Sequence, residues 1–104
     1  MHARVTRMST DASRRDENIK LFNDQILPRF EQIPGYREFL MLIDDATGDA
    51  IGITIWESEE ALRASEDAAN AIRSDAAQKM ASSIVSVERF EVAVQASALY
   101  AAGR

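Results

Sequence analysis

A chain of 104 residues, 46% hydrophobic, with a net charge of −5 and no cysteine, suits one domain spanning 1–104. It excludes disulfides, thiolate nucleophiles and cysteine-held metals together. The acidic balance argues against nucleic acid as a partner, since no basic stripe is present to neutralise phosphates. No apolar run reaches membrane-spanning length, and residues 1–8 lack the apolar core of a signal peptide. A membrane partner is therefore not expected, and the cytoplasm is the expected location.

Residues 2–8 alternate loosely and predict a first strand, with His2, Arg4, Thr6 and Met8 on one face. Over 16–32, Ile19, Phe22, Ile26 and Phe30, with Ile33 just beyond, recur at steps of three and four, the mark of a helix with one buried stripe. Ser13 or Asp11 is placed to cap it. Pro28 has no amide proton and clashes with the preceding turn, so a kink is expected near Asp24. Residues 36–44 and 50–56 read as two strands joined by Asp45-Ala46-Thr47-Gly48, and pairing Asp44 with Asp49 fixes their register. One face then carries Leu40 and Leu42 against Ile51, Ile53 and Ile55. The other carries Arg37, Phe39, Met41 and Ile43 against Ala50, Gly52, Thr54 and Trp56, with Arg37 opposite Trp56. Neither face turns polar, so both must be covered.

Ser58 is a natural N-cap, with Glu59 and Glu60 where the helix dipole favours acids. Leu62, Ser65, Ala69, Ile72, Ala76 and Met80 mark a second helical stripe, with a break expected near Ser74. Residues 84–94 predict a last strand and 95–104 a short tail. The order strand, helix, strand, strand, helix, strand is that of an α+β, ferredoxin-like βαββαβ fold with a four-stranded antiparallel sheet. Its two helices lie on one face. A second copy of the chain is the economical cover for the other, which predicts a homodimer closing into a barrel.

Pro34-Gly35-Tyr36, the Asp45 to Gly48 turn, and the run Thr54-Ile55-Trp56-Glu57-Ser58-Glu59-Glu60-Ala61-Leu62 resemble the antibiotic biosynthesis monooxygenase-like family of dimeric α/β barrels. The resemblance covers residues 2–94. It implies a homodimer with a pocket between sheet and helices in each subunit, and relatives that oxygenate phenolic polyketides or quinols without metal or flavin, degrade haem, or have no known reaction. The haem-degrading motif needs an Asn, a Trp and a His where this chain has Thr6, Ser65 and Asp75, so haem degradation is disfavoured. Carried onto this chain, the candidate small-ligand pocket comprises Arg4, Thr6, Asn23, Trp56 and Ser65.

Each of these has a plainer role to set beside the functional one. A strand-end Trp usually plugs a core, and a strand Thr usually serves its β-branch. Arg4 is able to stabilise a phenolate, but a strand Arg more often pairs with a carboxylate, here Glu88 or Glu91. With one histidine beside the initiator methionine, no Ser-His pair or His-based zinc site is assembled and no cofactor is expected. An enzyme built on this chain would depend on its substrate's reactivity: a small aromatic phenol or enol whose anion gives an electron to oxygen in a dry pocket, the protein supplying desolvation and orientation. The alternative is a non-catalytic barrel that binds a small apolar ligand or serves as an interaction module.

Overall fold

The computed structural model describes residues 1–97; most of the predicted 95–104 tail lies outside the described residues. Four strands, β1 (His2–Ser9), β2 (Tyr36–Ile43), β3 (Ala50–Trp56) and β4 (Ser83–Glu91), form one sheet in the order β2-β3-β1-β4, with every pair antiparallel. Helices α1 (Arg15–Leu21), α2 (Leu27–Glu31), α3 (Glu59–Ala64) and α4 (Glu66–Lys79) occupy the two connections between β1 and β2 and between β3 and β4. This is the expected ferredoxin-like α+β arrangement.

Asp11 starts the first helical segment, its carboxylate accepting from the Ser13 amide at 2.9 Å ahead of a short 3-10 turn, Ala12–Arg14. Pro28 has the effect its chemistry demands. Between α1 and α2 lies a π-helical turn, Phe22–Ile26, in which the Leu27 amide reaches the Phe22 carbonyl one residue further back than in an α-helix. The stripe survives this interruption, with Phe22, Ile26 and Phe30 buried together. In the second connection the break falls at Ser65, between α3 and α4, and not near Ser74, which α4 runs through unbroken. All six residues of the predicted stripe, Leu62 to Met80, are buried.

The hairpin closes as its turn chemistry requires. Asp44 donates its amide to the Asp49 carbonyl at 2.9 Å, Gly48 donates to the Asp44 carbonyl at 2.7 Å, and Gly48 adopts φ +84°. The register runs from Ile43 opposite Ala50 to Phe39 opposite Thr54, then shifts between Tyr36 and Glu38. That irregularity corrects the expected placement of Arg37. Tyr36, not Arg37, stands opposite Trp56 and packs edge-on to it at 6.1 Å, while Arg37 turns outward to Glu57 at 2.9 Å.

The helices cover the face bearing Phe39, Met41, Ala50, Thr54 and Trp56. On the opposite face Leu42 is 49% exposed and Phe90 50%, and Leu40 is exposed beside them. β4 ends at Glu91, three residues short of the expected Val94. From there the Val92 amide bonds to the Met1 carbonyl at 2.9 Å and the Gln95 amide group reaches Glu38 on the far edge strand at 3.4 Å. The chain so crosses one end of the outer face, beside Ala3 and Ile55, which are buried there. Among the described residues, nothing covers the rest of that apolar face.

Gly35 joins the first helical segment to β2 at φ +86°, and a Cβ there would lie 2.5 Å from the Ala61 Cβ of α3. Gly35→Ala therefore meets backbone strain and a clash together. A loss of about 1–3 kcal/mol in urea unfolding is expected, whereas Ala46→Gly, in the exposed hairpin turn, should move the midpoint far less.

Candidate functional site

Alternation along β1 turns Arg4 and Thr6 towards the helices, and there Arg4 is held from three sides. Its Nη2 donates to the Leu62 carbonyl at 3.0 Å, to Ser65 Oγ at 3.1 Å and to Glu66 Oε2 at 2.7 Å. Its guanidinium carbon lies 5.5 Å from the Trp56 ring centre. Ser65 in turn donates to the Leu62 carbonyl at 2.6 Å. The carboxylate partner is thus Glu66, on α4. The expected partners Glu88 and Glu91 are engaged otherwise or placed elsewhere: β4 sets Arg89 opposite Arg4, and Glu88 bonds Arg7 at 3.1 Å. Glu66 is shared, since Arg89 also bonds to it.

Burial, and after it the charge of Arg89, lowers the Arg4 pKa to about 10. A base whose folded pKa lies below its unfolded one costs stability wherever both states are protonated. Relief comes only as pH climbs through about 10 towards the unfolded value. At neutral pH Arg4 is a full cation.

Trp56 is completely buried and donates its indole N–H to Thr54 Oγ1 at 2.9 Å. It backs Arg4, and it is not among the residues lining two cavities between sheet and helices. The inner one, about 30 Å³, is lined by Arg4, Thr6, Arg73 and the rings of Phe22, Phe30 and Phe39. The outer one is an open cleft of about 410 Å³ that includes Arg15, Asn23, Leu27 and Met41, and again Phe22 and Phe39. Those two rings stack at 4.6 Å between centres, tilted by 26°, and border both spaces.

The five candidate residues are therefore brought together only in part. Arg4 and Thr6 face the inner cavity, Ser65 and Trp56 hold Arg4 from behind, and Asn23 sits apart, exposed in the outer cleft. Sequence reasoning missed Arg73. It is 7% exposed, lines the inner cavity, and bonds the Asn70 side-chain oxygen at 3.1 Å. Burial, and then the charge of Arg4, lowers its pKa. The signal was present: Arg73 falls four residues after Ala69 and three before Ala76, on the buried stripe, where a cation needs a reason. Asp75, on the outer side of α4, is held by Arg29 of α2 at 2.6 Å, and its carboxyl sits below the usual range because of that bond.

Glu66→Gln removes the carboxylate from between Arg4 and Arg89. With Glu66 itself part-exposed, the expected loss is about 1–3 kcal/mol in denaturant unfolding at neutral pH. An unchanged midpoint would mean that Ser65 and the Leu62 carbonyl suffice to hold Arg4.

No family model matches the chain. Two uncharacterized proteins of Mycobacterium tuberculosis are similar to it, one 31% identical over 94 residues and the other 23% identical over 91. The chain spans about two fifths of the length of these relatives, 39% and 41%. Among solved structures, the haem-degrader MhuD of the same organism, solved with two haems in its active site, superposes with a TM-score of 0.68 at 23% identity, over 93% of this chain and 100% of that one. A candidate antibiotic biosynthesis monooxygenase of Deinococcus radiodurans gives 0.64 at 16% identity, over 93% and 97%. The ActVA-Orf6 monooxygenase of Streptomyces coelicolor, solved with nanaomycin D, gives 0.62 at 14% identity, over 92% of each chain. With its sheet order, its covered and open faces and these superpositions, the chain has the fold of the antibiotic biosynthesis monooxygenase-like proteins.

Proposed function

We propose that this protein is a homodimeric barrel whose outer cleft takes a flat aromatic or phenolic molecule, and that it oxygenates this molecule without a cofactor. The observation that carries the reading is the layout of the two cavities. An open cleft walled by Phe22, Phe39, Leu27 and Met41 meets a small buried chamber with two guanidiniums across one stacked pair of rings. Aromatic walls suit a ring, and buried cations favour the ionised form of a phenol over the neutral one. The anion of such a substrate is electron-rich enough to react with oxygen, and exclusion of water raises the effect of each charge near it. ActVA-Orf6, solved with nanaomycin D, supports the substrate class by analogy of fold.

A haem reading has less support from the residues. Of the positions where that motif needs Asn, Trp and His, Thr6 lines the small inner chamber, Ser65 is bonded to Arg4, and Asp75 is paired with Arg29 on the outer side of the helices.

Oxygen uptake with naphthols, anthrones and quinols tests the chemistry. Turnover above the protein-free rate is expected for at least one of them, rising with pH as the substrate phenol ionises, because no histidine lines either cavity to act as base. Uptake no faster than the protein-free rate across the panel would leave a binding protein.

The open sheet face supports the dimer. Leu40, Leu42 and Phe90 expose apolar surface that a second copy would bury. Light scattering at micromolar concentration should give twice the chain mass, and Leu42→Glu should return it to a monomer or unfold it. Met41→Glu, on the helix-covered face, should instead damage the fold or the cleft.

A further inference from the structure

The inner chamber carries more positive charge than its surroundings neutralise. Arg4, 2% exposed, and Arg73 both line it. Glu66 serves Arg4 but is shared with Arg89. Arg73 forms no ion pair among the described residues, and its side-chain bond goes to the neutral Asn70 amide. Nε and Nη1 of Arg4 and Nε of Arg73 are buried without a hydrogen-bond partner. Two buried guanidiniums thus line one cavity with donors still free, Arg4 sharing its carboxylate with Arg89 and Arg73 having none among the described residues. Such an arrangement is costly unless a counter-charge arrives.

We propose that the inner chamber is an anion subsite in which Arg4 and Arg73 together receive one singly charged oxygen group, a carboxylate or an ionised phenol or enol, from a ligand whose apolar body lies in the outer cleft. The inference rests on the reading of that cleft as a ligand site and adds where the ligand's charged group lies and which residue selects it. Size agrees: about 30 Å³ has room for roughly two water-sized groups, enough for a charged head and too little for a ring. Phe22 and Phe39 mark the boundary across which head and body divide. Arg4 is anchored through its Nη2 by Leu62, Ser65 and Glu66, whereas Arg73 has one neutral partner, so Arg73 is the specificity-determining residue.

The test compares 1-naphthoate with its neutral isostere 1-naphthamide at pH 7.5, by calorimetry and by Trp56 emission, which reports on Arg4 through their contact. Naphthoate should bind at least about tenfold more tightly, the worth of a charge-assisted hydrogen bond. Arg73→Gln should bring the ratio to near unity with the amide affinity unchanged, and Arg73→Lys should keep a preference for the anion. Without ligand, Arg73→Gln should melt no lower than the parent, because it removes a buried cation that has no acidic partner. Should that variant fail to fold, the parent's ratio and Arg73→Lys still decide. Equal binding of the two ligands by the parent, or an anion preference that survives Arg73→Gln, would overturn the subsite and leave the cleft reading standing. Binding of neither would remove both. A clear preference for naphthoate with no oxygen uptake on any phenol would keep the subsite and remove only the oxygenation.

Discussion

The guanidinium of Arg4 is the point at which the parts of this fold meet. It leaves the centre of the sheet, passes over Trp56 at the end of β3, caps the α3 carbonyl of Leu62, and reaches Ser65 and Glu66 at the start of α4; through Glu66 it is tied to Arg89 of β4. A hydrophobic residue at that position would bury as much area and specify less. The cation fixes where the second helical connection breaks, because Ser65 must end one helix with its hydroxyl turned inward. It also fixes which end of α4 approaches the sheet, since Glu66 lies in the first turn of α4, where an acid is favoured by the helix dipole as well.

The same cation explains why the cavity beside it persists. Close packing would fill the chamber with aliphatic side chains, as elsewhere in the core. Two like charges with free donors resist this, because each needs polar company and each disfavours the other. Phe22, Phe30 and Phe39, stacked within 6.5 Å of one another, roof the space without supplying a polar atom. The π turn begins at Phe22, so the irregularity forced by Pro28 falls on a residue that borders both cavities. A local fault in the helix and the edge of the candidate site are one feature.

Most of the fold was legible because its signals are local. The period of the two helical stripes, the Asp44 to Asp49 turn and the Ser58 cap each involve residues close in sequence, and each appears as read; Asp11, one of the two capping residues offered, caps the 3-10 turn ahead of α1. What the sequence obscured depends on contacts between distant elements. The shift that puts Tyr36 opposite Trp56 depends on Arg37 preferring Glu57 and water to the sheet face. The break falls at Ser65 in place of Ser74, where the hydroxyl meets Arg4, sixty-one residues away. Arg73 escaped notice because a lone arginine in an alanine-rich helix looks like a solvated one. Its place on the stripe of Ala69, Ile72 and Ala76 is what turns it inward.

Of the candidate site, strand alternation gave the facing of Arg4 and Thr6, while the π turn leaves Asn23 on the outer cleft, apart from them, a placement the sequence did not show. A chemical consequence follows from what was found. The cavities contain arginines and hydroxyls but no group that titrates near neutrality, so this part of the chain neither takes nor gives a proton readily there. What two buried guanidiniums do well is hold an anion formed elsewhere. Such cations lower the pKa of a phenol or enol held beside them, whereas a dry site alone would favour the neutral form, so the two effects pull in opposite directions. The proposed subsite requires the charges to outweigh the dryness, and Arg73, with no ion pair among the described residues, is the charge on which that balance turns.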